Sequence, residues 1–374
     1  MSYPYIHFMT STANLKNGCY TIMLYSIFAI DITAYLFEVN FFTRWAPFFL
    51  GLFFLTYISF RSIVFIHIAL VVSFSFLVCM LYNQDSSLNI ATILINLALG
   101  WYIYLNRLGD KVLPILTGLL FLVLSFKFYT NGGVEGILVS GSQNYISVMV
   151  LSMSLLYYTF VPKKNKLVAL YPAIAALLFS TLALGRSGIA TSLLLVIGVY
   201  LYNFSFVKKT KLVTFIYISL ALLAIGYIVQ YQDILYNVDQ PTSLLWRFSF
   251  DHNFDGRISI LQVYFSDFSL ADFFFGRGNG LIKNSLDMSV HISYLQWHIS
   301  LGFLAIPVYA LVLFAYIKLF VINKLYFILM TVLLIRAATD HIMLTAGFIF
   351  GPLLVYYCMG VYFPQYSPIK HRLN

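Results

Sequence analysis

The feature that most constrains this chain is its series of long apolar runs, which recur from near the first residue to near the last. A helix needs about 20 apolar residues to cross the hydrocarbon core of a bilayer. Of the 374 residues, 61% are hydrophobic and only 9% are charged. A soluble domain carries roughly 25% charged residues, so this composition excludes a soluble enzyme and a disordered chain.

The runs predict an all-α polytopic integral membrane protein with about twelve transmembrane helices and one large periplasmic loop. Because the runs are continuously apolar, and do not alternate with polar residues, an outer-membrane barrel is excluded. The predicted spans cover residues 18–37, 46–60, 62–82, 88–106, 112–128, 145–161, 167–184, 189–206, 212–230, 291–317, 322–338 and 342–362.

Two basic clusters orient the spans. Residues 163–166 read KKNK and residues 208–211 read KKTK, and two predicted spans separate them, so both lie on one side. Lys and Arg are enriched in cytoplasmic loops, which predicts that both clusters and both termini are cytoplasmic. The turn at 185–188 and the segment 231–290 are then on the outer side. The net charge of +9 is explained by this topology, and we predict no nucleic-acid partner.

The outer segment 231–290 is the one sizeable hydrophilic element, with four basic residues and seven of the 13 acidic residues. Within it, 257–275 has an approximate apolar helical face, which predicts one helix lying along the membrane surface. That face consists of Ile258, Leu261, Phe265, Phe268 and Phe275. The chain is therefore divided into N-terminal spans (1–144), spans that carry the outer turn (145–230), the outer segment (231–290) and C-terminal spans (291–374).

Charged residues at the outer boundary are the candidates for chemistry, because burying charge near a membrane is costly. The sequence GRSG at 185–188 places Arg186 beside a helix N-terminus, where Ser187 can cap the helix, and this combination suits an anion. The alternative is an interfacial turn whose arginine contacts lipid phosphate.

Two further candidates lie in the outer segment. The sequence DGR contains Asp255 and Arg257, and FGRGNG at 275–280 contains Arg277 between glycines that permit close approach to a ligand. The absence of a preceding strand excludes a dinucleotide fingerprint here. A flexible loop with a solvated Arg277 is the alternative interpretation.

The last two candidates flank the C-terminal spans. In HISYLQWHISLG at 291–302, His291 lies where the outer segment meets the membrane, whereas Tyr294 and His298 fit an interfacial aromatic belt. In RAATDHIM at 336–343, Arg336 and Asp340 end the last outer hairpin, where the alternative is an i,i+4 salt bridge.

The order of these motifs resembles the bacterial O-antigen polymerase and O-antigen ligase superfamily. The resemblance covers the C-terminal half of the chain, through GRSG, Arg257, GRGNG, HISYL and Leu301-Gly302. Arg277 within the glycine run and Ile292 after the histidine depart from the family pattern.

The resemblance implies an enzyme of the bacterial inner membrane, with a periplasmic active site. It would transfer a growing glycan from undecaprenyl diphosphate to a lipid-linked repeat unit, without metal or other cofactor. Its expected partners are the lipid-linked oligosaccharide, membrane lipid, a chain-length regulator and a flippase. Arg186 and Arg257 would hold the diphosphate, and His291 would be the base. Arg277 and Tyr294 would contact substrate, and the charged residues Asp255, Arg336 and Asp340 at the outer boundary are predicted to do so as well.

Two rival functions stay open. An O-antigen ligase uses the same donor but transfers the glycan to lipid A-core. A flippase for lipid-linked oligosaccharides is a non-enzyme of similar span number. The chain lacks a Walker A motif and a D-x-D carboxylate pair, so nucleotide hydrolysis and metal-dependent use of nucleotide sugars are disfavoured.

Overall fold

A computed structural model describes residues 13–37, 41–83, 90–106, 112–131, 133, 136–139, 144–161, 167–183, 185–208, 253–286, 290, 292–340, 342 and 349–363, with some helical side chains left out. All regular structure in these ranges is helical. The first eight helices are Ala13–Leu36 (α1), Phe41–Ser59 (α2), Ile63–Asn83 (α3), Ile90–Asn106 (α4), Val112–Thr130 (α5), Asn144–Phe160 (α6), Tyr171–Leu182 (α7) and Arg186–Lys208 (α8). The others are Asn253–Phe265 (α9), Leu270–Phe275 (α10), Asn279–Leu286 (α11), Ser293–Leu301 (α12), Ala305–Ile322 (α13), Lys324–Thr339 (α14) and Phe350–Tyr362 (α15), and a 3₁₀ turn at Gly302–Leu304 joins α12 to α13.

The structure is that of a helical membrane protein. Four helical stretches within the described residues are long and apolar enough to cross a bilayer: Ile63–Asn83, Val112–Thr130, Ser187–Phe204 and Ser293–Ile322. Eleven of the predicted spans coincide with described helices, but several of these are shorter than a full span. The predicted span 212–230 lies outside the described residues, and a total of twelve spans stays a prediction.

Two helices form the centre of the bundle. Every residue of α6 from Ile146 to Phe160 is buried, and so are most residues of α14. By contrast, α3, α5 and α13 leave large apolar side chains exposed, such as Phe74 and Leu122. Side chains this apolar are stable on an outer surface only when lipid covers them, so these three helices face the bilayer.

Different helix ends, with different polar contacts, lie at the two ends of the bundle. Near KKNK, the Tyr326 hydroxyl at the start of α14 donates to the Thr159 carbonyl at the end of α6. The Asn203 amide pairs with both backbone groups of Val168. The end of α14, the start of α6 and the start of α8 meet at the opposite end, where Arg336 and Asp340 lie.

Two predicted helices are each broken in the structure. The prediction of one surface helix over 257–275 is wrong, because α9 ends at Phe265 and α10 begins at Leu270. Asp267 adopts a positive φ of 49°, and Ser269 and Asp272 form a capping box that starts α10. The predicted span 291–317 is interrupted at Gly302, where φ is +51°. A left-handed residue cannot continue an α-helix, so the chain passes from α12 through the 3₁₀ turn into α13.

Candidate functional site

A buried arginine organises one end of the bundle. Arg336, in the last turn of α14, has no exposed surface. Its guanidinium donates to the Ser187 hydroxyl at 2.5 Å and to the Ser147 hydroxyl at 3.1 Å, and its Nη2 lies 2.8 Å from the Asp340 carboxylate. We call Arg336, Asp340, Ser147 and Ser187 the arginine cluster. A buried cation requires such partners, because desolvation of an unpaired charge is very costly.

The arginine cluster joins two motifs that are 149 residues apart in sequence. The predicted i,i+4 salt bridge between Arg336 and Asp340 is confirmed, and it is the one ion pair recorded within the described ranges. No local sequence pattern indicates that Arg336 also contacts Ser187 of the GRSG turn. Its Nε has no hydrogen-bond partner among the described residues. The geometry directs Arg336 toward protein groups, and a direct contact with substrate stays a prediction.

The two glycines of the GRSG turn allow close packing against α6. A Cβ on Gly188 would lie 2.4 Å from the Cβ of Ser147, and one on Gly185 would lie 2.8 Å from the Asn144 Oδ1. Real Cβ atoms do not approach this closely, so any side chain here would push α8 away from α6. Ser187 was predicted as a helix cap, but it is the second residue of α8, where its hydroxyl accepts from Arg336.

The start of α12 reaches the same end of the bundle. The Ser293 hydroxyl donates to the Asp340 carbonyl at 2.5 Å and accepts from the Ile342 N–H at 3.0 Å. The next residue, Tyr294, donates through its hydroxyl to the Leu334 carbonyl at 2.7 Å. This bond ties Tyr294 to α14, and its predicted contact with substrate stays a prediction. The structure thus brings together the GRSG turn, the end of α14 and the beginning of HISYL.

A second polar group holds the outer segment on α12. The Tyr264 hydroxyl lies 2.6 Å from Nδ1 of His298, and the Arg277 N–H donates to the same hydroxyl at 3.2 Å. Nε2 of His298 lies 3.1 Å from the Phe273 carbonyl, which can only accept, so Nε2 carries the proton and Nδ1 accepts from Tyr264. We call Tyr264, His298 and Arg277 the tyrosine–histidine bridge.

Three features of the tyrosine–histidine bridge change the sequence interpretation. Burial raises the pKa of the Tyr264 phenol above its ordinary value, so it stays a hydrogen-bond donor at neutral pH. His298 was predicted to lie in an interfacial aromatic belt, and this role does not account for its hydrogen bonds with Tyr264 and the Phe273 carbonyl. The side chain of Arg277 donates to the carbonyls of Tyr264 and Ser266, so it is no freely solvated loop charge.

The glycine run at 276–280 approaches protein backbone. Gly276 has a φ of +72°, and a Cβ there would lie 2.4 Å from the His298 carbonyl. Both the left-handed backbone and the close approach require glycine at this position. The sequence predicts a close approach of this glycine run to a ligand, but in the structure the glycine run approaches the backbone of α12.

The predicted catalytic side chains are not among those that the structure describes. His291 lies outside the described residues, one position before the described Ile292. Arg186 is the first residue of α8, and Asp255 and Arg257 belong to α9, but their side chains are left out. The roles proposed for these four residues stay predictions.

Sequence reasoning missed Ser147 and Tyr264. Ser147 is one hydroxyl within an apolar helix, and such a residue has no distinguishing pattern until its partner is known. Tyr264 does carry a signal, since it lies at i+4 from Ile260 and both are buried on one face of α9.

No protein-family model matches this chain, and no curated protein or solved structure matches it. Within the described ranges, no group of three or more His, Cys, Asp or Glu side chains could hold a metal ion. The residues and their geometry therefore carry the functional argument.

Proposed function

We propose that this chain is an O-antigen (surface polysaccharide) polymerase of the bacterial inner membrane. It would transfer a growing glycan from undecaprenyl diphosphate to the end of another lipid-linked repeat unit at the periplasmic face. The proposal rests on the motif resemblance together with one structural observation. The arginine cluster brings the GRSG turn next to Asp340, and the start of α12 contacts Asp340 as well.

This proximity supports the proposal because the resemblance assigns these same motifs to one active site. Arg186 directly precedes Ser187, and His291 lies two residues before Ser293. Both positions are therefore tied by short pieces of chain to residues that contact Arg336 or Asp340. A donor diphosphate and an acceptor hydroxyl must meet at one place, and this end of the bundle can bring their predicted binding residues together.

The reaction needs stabilisation of the leaving group and activation of the acceptor. The bond between the sugar and the lipid diphosphate breaks, and the acceptor hydroxyl forms the new glycosidic bond and loses its proton. Arg186 and Arg257 would bind the departing diphosphate through paired hydrogen bonds. His291 would accept the proton, which typically contributes on the order of 10²–10⁴-fold to the rate.

The arginine proposal is tested by conservative replacement. Arg257→Ala and Arg186→Ala should abolish polymer in cells while the protein stays in the membrane. Arg257→Lys and Arg186→Lys should restore little, because an ammonium does not reproduce the guanidinium fork. If both lysine variants produce normal ladders of polymer, these arginines only supply charge and the diphosphate clamp is wrong.

The base is tested with a matched histidine control. His291→Ala should strongly reduce turnover of a purified enzyme on a lipid-diphosphate donor, while binding of the donor persists. His67, an exposed histidine on α3 that contacts the Ile63 carbonyl, is the control, and His67→Ala should retain turnover. His298 is unsuitable as a control because it belongs to the tyrosine–histidine bridge. Near-normal turnover of His291→Ala would exclude it as the base.

Reporter fusions test the sidedness on which the proposal depends. Fusions after Lys164 and Lys209 should report cytoplasm, and fusions near Ser187 and Asp267 should report periplasm. A cytoplasmic signal at Asp267 would contradict both the orientation and a periplasmic active site.

The lipopolysaccharide of a deletion strain distinguishes the proposed polymerase from its two rivals, the ligase and the flippase. Loss of a polymerase leaves core with one repeat unit, and loss of a ligase leaves bare core while lipid-linked polymer accumulates. Loss of a flippase leaves bare core without periplasmic polymer. A flippase should also have a charged central cavity, whereas the one recorded ion pair among the described residues lies at one end of the bundle.

A further inference from the structure

We propose that the outer segment inserts a strip of apolar side chains into the acyl region of one membrane leaflet. The strip consists of Leu261, Phe265, Leu270, Phe274 and Phe303. We call it the apolar strip. Its partner is lipid, and the proposal stands whether or not the chain is a polymerase.

Four of these side chains lie in the outer segment, Phe303 follows it in the 3₁₀ turn, and all five are exposed. Leu270 is 74% exposed and Phe265 is 55% exposed, although each lies next to buried or hydrogen-bonded residues. The Phe274 ring lies 5.5 Å from the Phe303 ring, so helix α10 and the 3₁₀ turn form one surface. An exposed apolar surface such as that of Phe274 and Phe303 indicates a binding partner, and Leu261, Phe265 and Leu270 add further exposed apolar side chains in the same segment.

The surface continues onto α13, which belongs to a stretch that can cross the bilayer. Phe303 lies inside the stretch Ser293–Ile322, which is long and apolar enough to span the membrane. Ile306, one turn further along, is also exposed and belongs to the lipid-facing side of α13. Through Phe303 and Phe274, the lipid-facing surface therefore extends from the span onto the outer segment.

The depth of α10 supports insertion. A Cβ on Gly302 would lie 2.2 Å from the Phe274 carbonyl and 2.9 Å from the Cys79 Sγ, so these groups meet at one point. Cys79 lies four residues before Asn83, the end of α3, which corresponds to about 6 Å along the helix. The Asn83 amide donates to the Phe275 carbonyl at 2.9 Å. Helix α10 thus lies beside the last turn of a spanning helix.

The exposed surface of α9 separates into two rows. Leu261 and Phe265 form an apolar row, whereas Gln262 and Ser266 form a polar row about 100° away around the helix. Ile260 and Tyr264 face the protein. In the proposed arrangement the apolar row enters lipid and the polar row stays in water.

The described charges beside the apolar strip are satisfied within the protein. The Arg277 guanidinium donates to backbone carbonyls, and the Asp272 carboxylate accepts from Ser269 in the capping box. The insertion argument therefore rests on the apolar side chains, and it is tested in vesicles of zwitterionic lipid.

Spin-label accessibility tests the insertion in vesicles of phosphatidylcholine. The three native cysteines are replaced by alanine, and single labels are placed through Phe265→Cys, Leu270→Cys and, as the matched control, Gln262→Cys. Oxygen concentrates in acyl chains, whereas a polar nickel chelate stays in water. The ratio of oxygen to nickel accessibility should be several-fold higher at 265 and 270 than at 262.

Two outcomes would overturn the proposal. Equal, water-like ratios at all three positions would place the apolar strip in solvent, and low accessibility to both reagents would indicate that protein covers it. A Leu270→Trp variant in the otherwise native chain provides a second test that keeps the cysteines. Its added emission should be quenched by phosphatidylcholine brominated on the acyl chain, and no quenching would contradict insertion.

Discussion

Asp340→Asn and Arg336→Met each remove one charge from the arginine cluster, and we expect Asp340→Asn to destabilise the fold more. Arg336 is fully buried, whereas the side chain of Asp340 is 20% exposed. Asp340→Asn leaves a buried guanidinium without a counter-charge, and breaking a buried pair in this way costs about 3–5 kcal/mol. Arg336→Met removes the buried charge itself. The carboxylate that remains can be hydrated, so the cost should be about 1–3 kcal/mol, mostly from the lost serine contacts.

The double variant Arg336→Met/Asp340→Asn completes the cycle. Once the guanidinium is gone, the loss of the carboxylate should cost little, so the double variant should resemble Arg336→Met alone. The coupling energy between the two sites should then equal the cost of Asp340→Asn alone, about 3–5 kcal/mol. The measurement is equilibrium unfolding in detergent micelles, followed by tryptophan fluorescence, which includes the buried Trp297 of α12.

Lys318→Met is the control for loss of a positive charge. Lys318 is exposed on α13 and lies 5.4 Å from the centre of the Phe314 ring, so its removal should change stability by less than about 1 kcal/mol. The reasoning is refuted if Asp340→Asn costs no more than this control, or if the two single variants add in the double variant.

Two further variants test the packing around the candidate site. Gly188→Ala should cost about 1–3 kcal/mol of unfolding free energy, because the new Cβ would clash with Ser147, and adding Ser147→Gly should recover part of the loss. Tyr264→Phe should cost about 0.5–1.5 kcal/mol and increase hydrogen exchange in 253–286, because His298 and Arg277 lose their shared hydroxyl. Unchanged exchange there would show that the tyrosine–histidine bridge does not hold the outer segment.

Much of the helical architecture could be predicted from the apolar runs, because membrane burial demands long helices with satisfied backbone groups. The predicted 112–128 and the observed Val112–Thr130 differ by two residues at one end. The helix breaks at Asp267 and Gly302 were harder to predict. Each depends on a left-handed backbone that is stabilised by neighbouring groups, and the pattern of apolar residues does not report such contacts.

The candidate site was also predictable only where its contacts are local in sequence. The i,i+4 spacing of Arg336 and Asp340 is local, so the sequence predicts their salt bridge. The contacts of Arg336 with Ser147 and Ser187 join three helices, and no local pattern specifies which buried hydroxyl faces a distant guanidinium. The amphipathic face predicted for the outer segment included Phe268, but the structure packs Phe268 near the buried Tyr264 and leaves Phe274 exposed.

The two ends of the bundle differ in a way that bears on the choice between an enzyme and a transporter. One end holds the buried Arg336 with its ion pair. At the other end, Thr159, Tyr326 and Tyr357 are buried. The Thr159 hydroxyl lies 2.7 Å from that of Tyr357, and the Thr159 carbonyl accepts from the Tyr326 hydroxyl. A transporter must open each end in turn, which would require these packed aromatic hydroxyls to separate. An enzyme whose donor and acceptor both stand on one face needs no path through the bundle. Separation of Tyr326 from Thr159 is therefore a movement that the flippase alternative requires and that the proposed polymerase does not.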